Sequence, residues 1–197
     1  MKIYSKSSLV YLNDLKNINA KKLRVYLNQA NTEFNFKFNY DLDTVKIFID
    51  KSNNTLFNNM LEFHFGVYKN KLNSFVGLFS VMQIDYNKKE CEIGYLIGKE
   101  YRKKEFSKNA IILLLYFIFE ILKIKKVYAK IYNKNNNISK KILVKNKFKE
   151  VKNTKYLSNN INKFNINKQN NNQLNEKIET YVLFKKKFKQ TKKILIE

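Results

Sequence analysis

The chain has 197 residues and a formal net charge of +23 at pH 7, from 39 Lys and Arg against 16 Asp and Glu. This length suits one domain, and 44% hydrophobic with 15% aromatic residues excludes an intrinsically disordered chain. Since no apolar stretch reaches the roughly 20 residues that span a bilayer, we expect no membrane partner. A single cysteine, Cys91, and a start without a signal-peptide pattern indicate the reducing cytoplasm.

The excess of positive charge has two competing explanations. Lysines are spread from Lys2 to Lys193, whereas a nucleic-acid motif would gather them. The chain also has no Pro, four Gly and only Arg24 and Arg102 as arginines, which is the composition that an AT-rich genome favours. The sequence therefore disfavours a dedicated nucleic-acid partner, although it leaves one open.

The first half of the chain predicts two helices and then a hairpin. Leucines at helical spacing predict a helix over 12–27, and a second helix follows around 43–51. Residues 62–67 and 74–84 are rich in Phe, Val and Ile and are separated by the polar stretch KNKLN. This pattern predicts a β-hairpin.

The second half alternates between strands and helices. We predict strands at 90–97 and 126–132 around a helix at 104–123, then a short helix at 136–146 and strands at 148–151 and 179–188. Residues 152–176 are rich in Asn and Lys and predict a long polar low-complexity loop. The order of elements indicates one mixed α and β domain over residues 1–197, built around one sheet.

Two motifs in this second half are informative. Residues 92–110 read EIGYLIGKEYRKKEFSKNA, and residues 136–139 read NNIS before a helix and Lys147-Phe148. Both resemble the GNAT acetyltransferase superfamily, especially its ribosomal-protein N-terminal acetyltransferase branch, which has E-L-G-Y-W-L-G-P-E-Y-R-G-K-G-Y-A, then N-x-x-S and G-F, at these places. Nucleotide-linked amino-sugar acetyltransferases, near relatives, give a similar match at residues 91–94.

The resemblance implies a fold and a function. The fold is α+β, with a central mixed, mostly antiparallel, twisted sheet and helices on both faces. The function is acetyl-CoA-dependent transfer of an acetyl group to a primary amine, either a protein N-terminus or an amino sugar, with acetyl-CoA as co-substrate and no metal. Formation of a homodimer stays open. The alternative is a catalytically decayed GNAT-fold binding protein that acts on RNA or ribosomes.

A cofactor site is expected where the predicted strand at 90–97 passes into the following helix. Unpaired N–H groups of a helix N-terminus favour a diphosphate, and basic side chains nearby add positive charge. The resemblance implies that the strand pairs with the amides of the pantetheine arm. The predicted cofactor-binding residues are Tyr95, Leu96, Ile97, Arg102, Lys103, Lys104, Glu105, Phe106, Ser107, Asn136 and Ser139.

The segment between the predicted strand at 90–97 and the following helix departs from the family's motif at two positions. Lys103 and Glu105 stand where the family has glycines. Because glycine permits close backbone approach, these residues either mark a weakened cofactor site or reflect only drift against glycine, with Glu105 pointing outward from an ordinary helix start. If Glu105 lies near the diphosphate, Glu105→Gly should tighten acetyl-CoA binding, and glycine at a helix start should slightly lower stability.

For catalysis, the resemblance singles out Glu92 and Asn136. Glu92 is either a base that takes the amine proton through a water or a strand glutamate bonded to a neighbour. Asn136 either orients that water or bonds the cofactor, and it is also expected to cap the next helix. Leu143 occupies the position where many relatives have a general-acid tyrosine. His64 and Cys91 are interpreted as packed residues, without a metal cluster.

Overall fold

The structure, a computed structural model, describes residues 1–34, 39–58, 61–102, 105–131, 136–151, 178–189 and 193–197. Within these ranges the strands are β1 (Lys2–Tyr4), β2 (Val10–Asn13), β3 (Phe63–Lys69), β4 (Phe75–Asp85), β5 (Glu90–Ile97), β6 (Lys126–Ile131), β7 (Lys149–Glu150), β8 (Glu179–Phe184) and β9 (Leu195–Ile196). They form one sheet in the order β7-β8-β6-β5-β4-β3-β2-β1-β9. Of these eight pairings only that between β5 and β6 is parallel, which confirms the predicted mixed, mostly antiparallel sheet.

The described helices are α1 (Ala20–Phe34), α2 (Leu42–Asn58), α3 (Phe106–Tyr116) and α4 (Asn137–Lys145). A π-helical turn, Phe117–Ile121, continues α3. Asn19 begins α1, because its side chain accepts a hydrogen bond from the Lys22 N–H at 3.0 Å.

Helices cover both faces of the sheet, as predicted. On one face, which we call the α1/α2 face, Leu23 and Val45 pack in a cluster with Leu78 and Leu96 of the sheet. On the opposite face, the α3 face, Phe117 packs edge-on against Phe63 and Phe65 of β3. Because side chains alternate along a strand, His64 between these two phenylalanines points to the α1/α2 face, where its ring contacts Phe48.

The predicted first helix over 12–27 is wrong in its first half. Leu12 is fully buried in strand β2, opposite Val67 of β3, and the helix begins only at Ala20. Leucines of a strand and of the helix after it happen to fall at helical spacing. The strand forms because β3, which is distant in sequence, offers an edge for it, so the local pattern could not distinguish the two structures.

The other predicted elements are confirmed with small shifts in their bounds. The helix predicted around 43–51 extends to Asn58, and the strand predicted over 179–188 ends at Phe184. Strands β1 and β9 were not predicted; they pair with each other at one edge of the sheet. The polar loop predicted at 152–176 lies outside the described residues.

The packing of Phe117 predicts a stability effect. Phe117→Ala should lower the free energy of unfolding by about 3–5 kcal/mol, because it empties a fully buried site between two rings. Ile121→Ala is the control, since Ile121 ends the same π-helical turn and is 46% exposed, and it should cost about 1 kcal/mol or less. Urea unfolding measures both variants, and equal losses would contradict the assigned packing.

Candidate active site

An opening in the sheet lies between β5 and β6. Their parallel pairing runs from Glu90 opposite Lys126 to Ile93 opposite Ala129. On its other side, β5 stays paired with β4 as far as Ile97. Beyond Ile93 the edge of β5 that faces β6 is therefore no longer covered by that strand. We call this place the opening.

Backbone groups of β5 point into the opening. The N–H of Gly98 donates to the carbonyl of Val76 on β4, at 3.0 Å. Because backbone groups alternate sides along a strand, those of Tyr95 and Ile97 point away from β4 and toward the opening. The Nε of Arg102 reaches one of them and donates to the Ile97 carbonyl at 3.1 Å. Leu96 lies between them, with its side chain packed against the α1/α2 core.

Helix α4 approaches the opening from the α3 face. The Tyr95 hydroxyl donates to the carbonyl of Ser139 in the first turn of α4, at 3.3 Å. Burial raises the pKa of Tyr95 to about 12, so the phenol is neutral at physiological pH. Asn136 caps the helix, because its Oδ1 accepts from the Ser139 N–H at 3.1 Å. The capping role expected for Asn136 is thus observed, and the roles of Asn136 and Ser139 toward a cofactor stay predictions.

On the α1/α2 face, Glu92 lies beside the opening and is bonded to a neighbour. Its Oε2 is 2.5 Å from the Nζ of Lys130 on β6, and each side chain is only 9% exposed. The bonded alternative for Glu92 is therefore observed, and its role as a base stays a prediction. Sequence reasoning missed Lys130. The polar alternation of Lys126, Tyr128 and Lys130 was visible, but only the register of β5 with β6 shows which carboxylate each lysine meets.

The loop before α3 has an unusual backbone at Glu105. This residue precedes the helix with φ 62° and ψ −1°, the left-handed conformation that favours glycine. The expectation of an ordinary helix start is therefore wrong: the loop has a glycine-like conformation at a position where the family has glycine. The Glu105 side chain does not cap α3 but accepts a 2.8 Å hydrogen bond from Lys108. This bond lowers the pKa of Glu105, which stays ionised at neutral pH.

Positive charge surrounds this loop from several elements. Lys108 of α3 and Lys145 of α4 both lower the pKa of Glu105, which places them near it. Lys69, at the end of β3, lies 5.0 Å from the ring centre of Tyr101 and 5.8 Å from that of Phe106. Sequence reasoning missed these three lysines. Lys69 and Lys145 come from segments far from the loop in the chain, whereas Lys108 follows Glu105 by only three residues and was not recognised as its partner. Among the predicted phosphate contacts, Lys103 and Lys104 lie outside the described residues.

Three further residues that the sequence singled out are packed. The Nδ1 of His64 is 2.8 Å from the hydroxyl of Ser80, and burial raises the pKa of the Cys91 thiol. Leu143 is fully buried. Within the described ranges no group of His, Cys, Asp and Glu could hold a metal ion. Those ranges also contain no helix long and apolar enough to cross a bilayer.

The chain is similar to known acetyltransferases. Residues 12–149 match the family model of the acetyltransferase (GNAT) domain. No curated protein matches the chain in sequence.

Solved structures share the fold. A ribosomal L7/L12 α-N-protein acetyltransferase in complex with coenzyme A has a TM-score of 0.74 at 11% identity, covering 93% of this chain and 98% of that one. Spermidine N-acetyltransferase from Vibrio cholerae, in complex with CoA and spermine, has a TM-score of 0.69 at 19% identity, with coverages of 91% and 97%. The microcin C7 self-immunity acetyltransferase, in complex with acetyl-CoA and AMP, has a TM-score of 0.66 at 19% identity, with coverages of 91% and 93%.

The left-handed backbone at Glu105 reverses the expected effect of glycine on stability. Glu105→Gly should raise Tm by roughly 2–4 °C, because glycine adopts positive φ without steric cost. Glu105→Ala is the matched control, since it also loses the bond to Lys108 but keeps a Cβ at positive φ. Thermal unfolding without ligand measures both variants, and a glycine variant no more stable than the alanine variant would contradict the strained backbone.

Proposed function

Because the chain belongs to the GNAT acetyltransferase family, we propose that it is an acetyl-CoA-dependent N-acetyltransferase that acetylates a primary amine, either a protein N-terminus or an amino sugar. One observation carries this proposal: the opening between β5 and β6 leads directly into the loop before α3. Unpaired strand backbone and a helix N-terminus are thus adjacent. A ligand that joins amides to a diphosphate, as acetyl-CoA does, fits both features.

The backbone of β5 supports binding of the pantetheine arm. Backbone groups of Tyr95 and Ile97 face the opening, where an amide ligand can continue the hydrogen bonding of the sheet. Arg102 donates its Nε–H to the Ile97 carbonyl, which places its positive charge at the edge of the opening. The side chain of Leu96 packs against the core on the α1/α2 face and so holds β5 in place beside the site.

The start of α3 supports binding of the diphosphate. The first N–H groups of a helix have no partner within the helix, so those of Phe106 and Ser107 favour an anion there. Lys103 and Lys104 are the proposed phosphate-binding cations of this site, joined by Lys108 and Lys145. The ionised Glu105 opposes them, although its hydrogen bond to Lys108 offsets part of its charge.

The proposed chemistry takes place on the α1/α2 face of the opening. The acceptor amine, once deprotonated, attacks the thioester carbonyl; a C–N bond forms, the C–S bond breaks and the coenzyme leaves as a thiolate that takes up the second proton of the amine nitrogen. Glu92 accepts the amine proton, directly or through a water, because it is the carboxylate beside the opening. Asn136 and Ser139 approach from the α3 face through α4.

A catalytically decayed binding protein acting on RNA or ribosomes is the second candidate. It is favoured by the substitution of a glycine by Glu105 and by the net charge of +23. Thermal shift separates the two candidates, since acetyl-CoA at 100 times its Kd should stabilise the fold by about 2.7 kcal/mol. Release of free thiol with a panel of amines then identifies the acceptor. Absence of both signals would favour the binding protein.

Glycine at position 105 should also strengthen cofactor binding. Glu105→Gly removes an ionised carboxylate from the phosphate loop and lets the backbone approach more closely. Calorimetry at matched salt should show tighter acetyl-CoA binding than in the wild type. The Glu105→Ala variant should show the part of this gain that comes from charge alone. Unchanged or weaker binding in the glycine variant would contradict the assigned phosphate site.

The proposed base is tested against a carboxylate on the same strand. Glu92→Gln should lower kcat by about 100-fold or more while the Kd for acetyl-CoA changes less than about twofold, because it removes a proton acceptor and no phosphate contact. Glu90→Gln is the control, since Glu90 lies two residues earlier on the same face and also pairs with a lysine of β6. Equal activity of the Glu92→Gln variant and the wild type would remove Glu92 from the mechanism.

A further inference from the structure

The Glu92–Lys130 ion pair lies where β5 and β6 separate. Glu92 is directly opposite Tyr128, and the last paired residues are Ile93 and Ala129. Lys130 is therefore the first residue of β6 beyond the pairing, and alternation puts it on the same face as Tyr128. Its side chain crosses to β5 at this point, on the α1/α2 side of the opening.

A second ion pair on the same two strands provides a comparison. Lys126 and Glu90 lie 2.7 Å apart within the paired half, and their side chains are 29% and 24% exposed. The Glu92–Lys130 pair has the same chemistry, but each of its side chains is only 9% exposed. Because burial removes water that would screen the charges, each partner of the buried pair depends more strongly on the other.

We propose that Lys130 is a positioning residue for acetyl transfer, which holds the Glu92 carboxylate fixed at the opening. The inference rests on the proposed function, in which Glu92 accepts the proton of the acceptor amine. Lys130 contacts Oε2, and a carboxylate has acceptor capacity on both of its oxygens. The ion pair therefore leaves acceptor capacity on Glu92 for a water or an amine.

The remaining charged and titratable groups on this side of the sheet do not replace Lys130. Those around Glu92 include Asp85, Lys88, Glu90, Lys126 and Tyr128 from β4, the β4–β5 turn, β5 and β6. Lys88 pairs with Asp85 at 3.3 Å and Lys126 with Glu90 at 2.7 Å, while His64 on β3 lies 3.5 Å from Glu62. Removal of Lys130 would therefore leave the buried Glu92 carboxylate without the cation that holds it.

The value of kcat tests this role. In Lys130→Met kcat should fall about tenfold or more, because the Glu92 carboxylate is no longer held at the opening. Lys130→Arg keeps the charge and should retain most of the wild-type kcat. Lys126→Met is the matched control and should leave kcat unchanged. The Kd for acetyl-CoA should stay within about twofold of the wild type in all three variants.

A double-mutant cycle tests whether Lys130 acts through Glu92. Because loss of Lys130 leaves an unpaired buried charge, Lys130→Gln replaces Lys130→Met if the latter does not fold. Glu92→Gln with Lys130→Met removes both charges. Its kcat should equal that of Glu92→Gln alone, since the lysine then has no carboxylate to position.

Each outcome of these measurements supports or overturns a specific claim. A wild-type kcat in both Lys130→Met and Lys130→Gln, an equal loss in Lys126→Met, or additive losses in the double variant would overturn the role of Lys130 alone. A wild-type protein that releases no thiol with any amine would instead contradict the proposed function, and the inference would fail with it.

Discussion

The end of the parallel pairing between β5 and β6 is the constraint on which the site depends. Up to Ile93 and Ala129 the two strands satisfy each other's backbone, and beyond them the edge of β5 needs other partners. Arg102 supplies one of these by bonding the Ile97 carbonyl. In the proposed function, the amides of the cofactor supply others. The sheet thus remains continuous on the β4 side of β5 while presenting a binding edge on the other.

Two side-chain contacts define the two sides of this opening, and they differ in chemistry. On the α3 face, the neutral phenol of Tyr95 bonds the backbone of Ser139 and ties β5 to the start of α4. On the α1/α2 face, the charged pair of Glu92 and Lys130 ties β5 to β6. The first contact is suited to holding the fold, because a neutral hydrogen bond depends little on pH. The second contains the group that can exchange a proton in the proposed mechanism.

The loop before α3 has a glycine-like backbone at a residue that is not glycine. Glu105 adopts the left-handed conformation although it has a Cβ, which glycine would do without steric cost. Lys69, Lys108 and Lys145 lie close to this loop, whereas many other lysines of the chain do not. Their position distinguishes these three from the lysines that only add to the net charge.

The sequence by itself determined the elements that have a strong hydrophobic period and clear turn or capping residues at their ends. These are the β3–β4 hairpin, β5, the α3 helix, β6 and the Asn136 cap. Through the motif shared with a family, the sequence also predicts that Glu92 and residues 102–107 lie near one site. Only the tertiary structure decided that residues 10–13 form a strand, that Lys130 meets Glu92, and that Glu105 is left-handed. The physical reason is common to all three: strand register, burial and loop closure depend on partners from distant segments, which a local pattern does not contain.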